Sequence, residues 1–331
     1  MELWKLRLSM LATLALIFGL STLVITGVLI YVGTFDLITL GIIVVTLNVV
    51  QWLIAPYLVG AIYRVRELKQ DENPKLHQIV SEISRKSHIN TPKLMLSQIP
   101  LPNAFAYGSP ISGNRVAVTQ GLLTTLNDGE VEAVLGHELG HLKHRDVQVM
   151  MAVSFLPALC LYIGYSLMWS GGLGGNQQGK GNSGNGAMIG IAFIAFSWIL
   201  NLFTLHVSRL REYYADRHSV SVVDDGANKL STGLAKIVHA TARIPKTKQQ
   251  QAQSKNFSGF KSLFIANPDT AKEDSEALFA AQNGQQLVDE ILNKKVTSGD
   301  RFIEAFSTHP NIIKRLRALQ ELGQHSPSTA V

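Results

Sequence analysis

The chain is 331 residues long, enough for one good-sized soluble core plus membrane spans, or for two domains. Hydrophobic residues make up 46% and charged residues only 16%, where soluble proteins carry about a quarter, so the composition points to a lipid-embedded chain. A net charge of +6 then belongs to the borders of apolar segments rather than to a nucleic-acid surface, and the one cysteine, Cys160, excludes an intrachain disulfide.

Four stretches carry no charge: residues 8–35, 37–63, 147–170 and 186–208. Each exceeds the ~20 residues needed to cross a hydrocarbon layer about 30 Å thick. The first follows Lys5 and Arg7 as a signal peptide would. It is much longer than a signal's apolar region of ~7–15 residues, so it reads as a retained anchor. Pro157 interrupts the third and His206 closes the fourth, which keeps a shallow hairpin open as the alternative to two crossings. Lys5, Arg7, Arg64, Arg66, Lys69, Lys143, Arg145, Arg209 and Arg211 all fall on one side of these stretches, the cytoplasmic side by the positive-inside rule. The opposite ends hold only Asp36 and Lys180, and the Gly/Asn-rich link at 171–186 reads as a flexible tether there.

The expected organisation is therefore a membrane anchor with two spans (1–63), a first polar block (64–146), a membrane hairpin (147–208) and a second polar block (209–331), with both termini cytoplasmic. Neither polar block looks complete alone, so one mostly α domain split by the hairpin is predicted. The first block opens with a helical pattern at 74–88, followed by strand-like runs at 93–97, 104–108 and 115–119. Turn residues at 109–114 join the last two, which suggests a small antiparallel sheet. A helix over 128–146 follows, with Asn127 or Asp128 as its N-cap. Further helices are predicted over 209–223 and 226–239, a low-complexity loop over 245–258, and a disordered tail after Gly323.

The chemistry concentrates in GHELGHLKHRD at 136–146. His137 and His141 sit four apart, so on a helix their rings project from one face and can converge on one Zn²⁺. Glu138 follows the first of them and is placed to act as general base on a water at the metal. Gly136 and Gly140 weaken a helix by about 1 kcal/mol each, a cost that fits a second backbone passing close by. His144 shares the face, but at seven residues its Cα lies about 10.5 Å from that of His137, too far to share the ion comfortably. Glu212, in REYYADRHS at 211–219, is the better third ligand, and Asp216 one turn on is an acceptor able to orient a ligand imidazole. His218, Tyr213 and Tyr214 could face an oxyanion or simply pack. His77, His88, His239 and His325 read as surface residues.

Together HELGH at 137–141, Asp146, REYYAD at 211–216, NAFA at 103–106, VAVTQGLL at 116–123 and STHP at 307–310 resemble the HtpX-type membrane zinc metalloproteases, a family related to the CAAX prenyl endopeptidases. The resemblance implies a multi-pass protein of the plasma membrane with a cytoplasmic, zincin-like α+β protease domain. It implies one Zn²⁺ per subunit held by His137, His141 and Glu212, with Glu138 as base. It also makes Asn103, Ala104, Phe105 and Ala106 the strand along which a substrate lies, as an edge strand can do by backbone pairing. The substrates would be membrane proteins or peptides at the bilayer, in quality control or stress response, with no nucleic-acid partner. His309 matches the family motif without a role, and Pro310 reads as a helix start.

Other classes fit less well. Asp128, Glu130, Glu132, Lys143 and Arg145 surround the motif, a charge density too costly for a site within hydrocarbon. A scaffold with a structural zinc would not need Glu138, and a transporter would need ionisable residues within the spans.

Overall fold

The structure, a computed structural model, describes residues 37–172, 183–243 and 283–325. The apolar run at 8–35, the loop at 245–258 and residues 173–182 of the Gly/Asn link lie outside them. In chain order the elements are α1 (Leu37–Ile62), β1 (Val65–Glu67), α2 (Pro74–Lys86), β2 (Lys93–Ser97), β3 (Ala104–Ser109), β4 (Gly113–Thr119), α3 (Gln120–Thr125) and α4 (Asp128–Lys143). Then come α5 (Asp146–Gly172), α6 (Ser183–Val222), α7 (Gly226–Arg243), α8 (Gly284–Asn293), α9 (Ser298–Ala305) and α10 (Ile312–His325). Gln324 and His325, predicted to be in a loose tail, still belong to α10.

The chain divides into two compact units, residues 1–52 with 149–204, and residues 53–148 with 205–331. In the first, α5 and α6 meet at Gly164 and Gly190. A Cβ on Gly164 would lie 2.8 Å from the Gly190 carbonyl oxygen, and one on Gly190 2.7 Å from that of Gly164. Small residues let two apolar helices bring their backbones together without side chains between them. Ser197 Oγ adds a bond to the Pro157 carbonyl at 2.8 Å. Among the described residues, segments of α5 (Asp146–Met168) and α6 (Gly186–Val222) are long and apolar enough to cross a membrane, by length and composition. α1 is a further uncharged helix, of 26 residues, with Pro56 inside it.

The second unit holds a four-stranded sheet in the order β1-β2-β4-β3. The expected strands are present, with β1 added, but the expectation of an antiparallel sheet fails: β2 and β4 pair in parallel, Lys93 against Arg115 through Ser97 against Thr119. The chain reverses between β2 and β3 yet leaves a one-strand gap, and β4 returns from the hairpin into that gap, alongside β2. Both faces of the sheet are covered, as its alternation shows. Leu94, Leu96, Val116 and Val118 point to the main core with α2, α4, α7, α8 and α10. Met95, Phe105, Tyr107 and Ala117 point the other way, into a smaller cluster with Val59 of α1 and Tyr63 just after it.

Two predicted segments prove to be one. The apolar run at 186–208 and the helix expected from Arg209 are both parts of α6, whose 40 residues span about 60 Å. Conversely, the helix predicted over 128–146 ends at Lys143. His144 caps it, Arg145 takes φ 54°, and α5 starts at Asp146.

Candidate active site

α4 begins with a reciprocal cap: Asn127 Oδ1 accepts the Glu130 N–H at 2.9 Å, and Glu130 Oε2 accepts the Asn127 N–H at 3.0 Å. From that fixed start the helix carries Gly136, His137, Glu138, Gly140 and His141 past the C-terminal part of α6. A Cβ on Gly136 would come 3.0 Å from Ser219 Oγ, and one on Gly140 would come 3.2 Å from the Cα of Ala215. The two glycines thus let α6 press against α4, and this crossing brings Glu212 and Asp216 to the histidines.

His137 Nε2 and His141 Nε2 are 3.2 Å apart with ring planes at 87°. Glu212 closes the triangle, Oε2 at 3.6 Å from His137 Nε2 and Oε1 at 3.6 Å from His141 Nε2. The other ring nitrogens are taken by carboxylates. His137 Nδ1 lies 2.9 Å from Asp216 Oδ1, and His141 Nδ1 lies 2.5 Å from Asp146 Oδ2. Both Nε2 atoms therefore face each other and the Glu212 carboxylate, a grouping that a shared proton or a metal ion would satisfy. For a tetrahedral ion with bonds of about 2.0–2.1 Å, ligand atoms stand about 3.3 Å apart, so the spacing fits a metal.

A layer of guanidinium groups backs the carboxylates. Arg315 is fully buried and reaches Asp216 through Nε at 2.9 Å and Nη2 at 2.6 Å, and Glu212 Oε2 through Nη1 at 3.1 Å. Arg211 Nε lies 2.9 Å from Asp146 Oδ2. His309 Nδ1 stands 3.2 Å from Glu212 Oε2. Burial pushes the Glu212 carboxyl up, but the charges of His309 and Arg315 outweigh it and hold it well below the usual carboxylate range. Asp216 is likewise lowered, burial being overcome by Arg315 and His137. Burial alone would lower the His141 pKa, yet the bond to Asp146 and the nearby carboxylates raise it.

Glu138 is buried beside this cluster, and its Oε2 accepts the backbone N–H of Ala106 on β3 at 2.9 Å. Burial raises its pKa, against the opposing pull of His137 and His141. β3 is an edge strand. Asn103 and Thr119 form a bonded pair, Thr119 N–H to Asn103 O at 2.9 Å. By the alternation of an antiparallel ladder, Phe105 and Tyr107 then bond inward to β4, while Ala104, Ala106 and Gly108 turn their N–H and C=O outward. The predicted strand therefore faces the cluster with its outer edge.

The structure thus brings His137, Glu138, His141, Glu212, Asp216 and the strand Asn103–Ala106 together. It leaves His144 aside, exposed at the end of α4, its ring centroid 6.2 Å from that of Tyr214. His218 turns to Ser87, Nε2 to Oγ at 2.9 Å, and Tyr214 is exposed. Sequence reasoning missed Arg315 and His309. The signal for His309 is the STHP motif, in which Pro310 reads as a helix start. α10 in fact begins at Ile312, with Asn311 Oδ1 accepting the Ile313 N–H at 2.9 Å.

Comparison with known proteins gives the context. The profile of peptidase family M48 matches residues 70–323. A protein from Thermoplasma acidophilum named Protease HtpX homolog is 38% identical over 325 residues, covering 96% of this chain and 97% of that protein. Protease HtpX homolog 2 of Sulfurisphaera tokodaii is 39% identical over 334 residues, covering 97% and 98%. The crystal structure of S. mikatae Ste24p shares the fold at a TM-score of 0.55 and 14% identity, over 96% of this chain and 66% of that longer one. The match over residues 70–323 and the two relatives aligned along nearly their whole length place the chain in peptidase family M48, as a metalloendopeptidase.

Proposed function

We propose that the protein is a zinc-dependent endopeptidase that hydrolyses membrane proteins at the cytoplasmic face of the plasma membrane, in membrane-protein quality control or stress response. The observation that carries the chemistry is the triangle of His137 Nε2, His141 Nε2 and Glu212, set beside Glu138. The three residues would hold one Zn²⁺. When bound, the ion supplies Lewis acidity towards the peptide carbonyl and towards water.

The chain's own residues supply the rest. A substrate in extended form pairs with the outward groups of β3 other than the Ala106 N–H, which Glu138 accepts, and this fixes its scissile bond next to α4. Glu138 takes a proton from the attacking water and delivers it to the leaving amine. The Ala106 N–H fixes its orientation. Asp216 and Asp146 hold the two imidazoles with Nε2 free to ligate, and Arg315 and His309 hold Glu212. The location rests on the uncharged runs and on the one-sided basic residues.

Glu138→Gln tests the assignment. The variant is expected to fold and retain zinc but to lose at least about two orders of magnitude in turnover, the scale of a general base. Metal analysis and cleavage of a model membrane protein are read on the same preparation. Near-normal turnover would remove Glu138 from the mechanism.

A further inference from the structure

The edge strand does not stop at the active site. From Leu94 to Asn114 no residue is charged. Along that stretch β3 runs beside α1: Phe105 and Tyr107 share a buried cluster with Val59 and Tyr63, and the Tyr63 and Phe105 ring centroids are 4.9 Å apart. Farther out, Ser109 Oγ lies 3.4 Å from the Leu53 carbonyl oxygen. Between these contacts α1 retreats from Tyr63 to Leu53, about 15 Å along a helix, while β3 advances from Phe105 to Ser109, about 13 Å along a strand. The two lengths agree, so strand and helix lie side by side in opposite directions.

The position of Leu53 within α1 then sets the depth. The 26 uncharged residues of α1 measure about 39 Å, against about 30 Å of hydrocarbon. Even if the whole excess lay at the Ile62 end, Leu53 would still be about 4–5 Å inside the layer. Ile54, Tyr57 and Leu58 of α1 are exposed over about half their surface, as lipid-facing residues would be.

The hairpin tip has the composition such a place demands. Ile111 is 66% exposed. The tip's serines satisfy each other: the Ser109 N–H donates to Ser112 Oγ at 2.9 Å, the Ser112 N–H to Ser109 Oγ at 3.2 Å, and Ser112 Oγ to the Gly113 carbonyl at 3.2 Å. Such pairing also occurs in turns exposed to water, but within lipid it is required, since a polar group without a partner there costs several kcal/mol. The first charge after the tip, Arg115, stands opposite Tyr107 at the base of the hairpin.

We propose that the β3–β4 hairpin tip, Ser109–Gly113, inserts into the lipid layer beside α1, so that the outer edge of β3 leads from the hydrocarbon boundary to Glu138. The inference rests on α1 being a membrane span, part of the function proposed above. It narrows the substrate class to polypeptide segments that leave the bilayer in extended form. Such a segment adds to β3 at Gly108 and reaches the Glu138 contact at Ala106 within about 7 Å.

The test uses the full chain in a Cys160→Ala background, reconstituted in phosphatidylcholine vesicles, with an environment-sensitive fluorophore on one introduced cysteine. The three positions are Ile111, Tyr57 on α1, and the exposed Gln78 on α2. The proposal expects the Ile111 and Tyr57 probes to be quenched by lipid-borne nitroxides and shielded from iodide, with the reverse at Gln78. Iodide quenching at Ile111 with lipid quenching at Tyr57 would overturn the inference and leave the span intact. Iodide quenching at both would overturn the span itself. Shielding of Ile111 from both quenchers would mean that protein covers the tip, and would also overturn it.

Activity provides a second arm with Ile111→Asp. Cleavage of a membrane-anchored peptide should fall on the order of tenfold, the effect of holding a carboxylate at the edge of hydrocarbon. The same sequence as a water-soluble peptide should be cut at the wild-type rate. An unchanged rate on the anchored substrate, or an equal loss on both, would overturn the role given to the tip.

Discussion

At the level of single residues, each histidine of the candidate metal cluster is backed by a carboxylate and an arginine. His137, Asp216 and Arg315 form one relay, and His141, Asp146 and Arg211 form another. Asp146 can reach back to His141 only because the helix breaks at Arg145; five residues on along an unbroken helix it would point about 140° away. Glu212→Ala is expected to purify largely free of zinc and inactive. Asp216→Ala should keep part of its zinc, with a loss of about 10–100-fold in affinity, because it removes only the partner that orients His137. Metal content by mass spectrometry separates the two, and full zinc with full activity in Glu212→Ala would place the third ligand elsewhere. His218 makes a different prediction. Burial, reinforced by the charges of Lys143 and His144, lowers its pKa from 6.5 to about 4. The unfolded chain therefore binds this proton first as the pH falls. Stability from this residue is level above about pH 6.5 and drains away between there and about pH 4. His218→Asn should flatten that part of the plot of Tm against pH, and an unchanged slope would assign it to other groups.

At the level of elements, the crossing of α4 and α6 decides whether the site exists. Gly140→Ala would by helix propensity alone stabilise α4 by about 1 kcal/mol. Here the new Cβ meets the Ala215 backbone and the His218 side chain, all at 3.2 Å, and the backbone has little room to yield. A net loss of about 1–3 kcal/mol is expected, with weaker zinc binding because Glu212 moves with α6. A rise in Tm with unchanged zinc affinity would show that the glycine serves no close approach. The metal helix was legible in the sequence because its signal is local: two histidines one turn apart, a capping asparagine, two glycines in a helical pattern. Glu212 could be reached by counting ligands. Arg315 could not, since it is 99 positions from Asp216 and nothing within its own helix marks it as buried. The parallel β2–β4 pairing was hidden for a related reason, because alternation reports which face of a strand is buried and not which strand lies beside it.

At the level of the whole molecule, apolar length and basic residues argue together for topology. The described helices α1, α5 and α6 each contain an uncharged run at least about 20 residues long, and the run at 8–35 would make a fourth. Four crossings would return the chain to the side it started from, and every dense basic flank would then fall on that side. The residues of the catalytic cluster belong to the second unit, while Lys180 lies in the link between the third and fourth runs. A cysteine replacing Lys180 should therefore react with a membrane-impermeant maleimide added to intact cells, and one replacing the exposed Gln78 should react only after lysis. Cys160 is buried in α5 and should add little background. Reaction at Gln78 in intact cells with protection at Lys180 would invert the orientation and put catalysis outside. Protection at both positions until lysis would leave the link on the cytoplasmic side, and α5 and α6 would then form a hairpin that enters the membrane without crossing it.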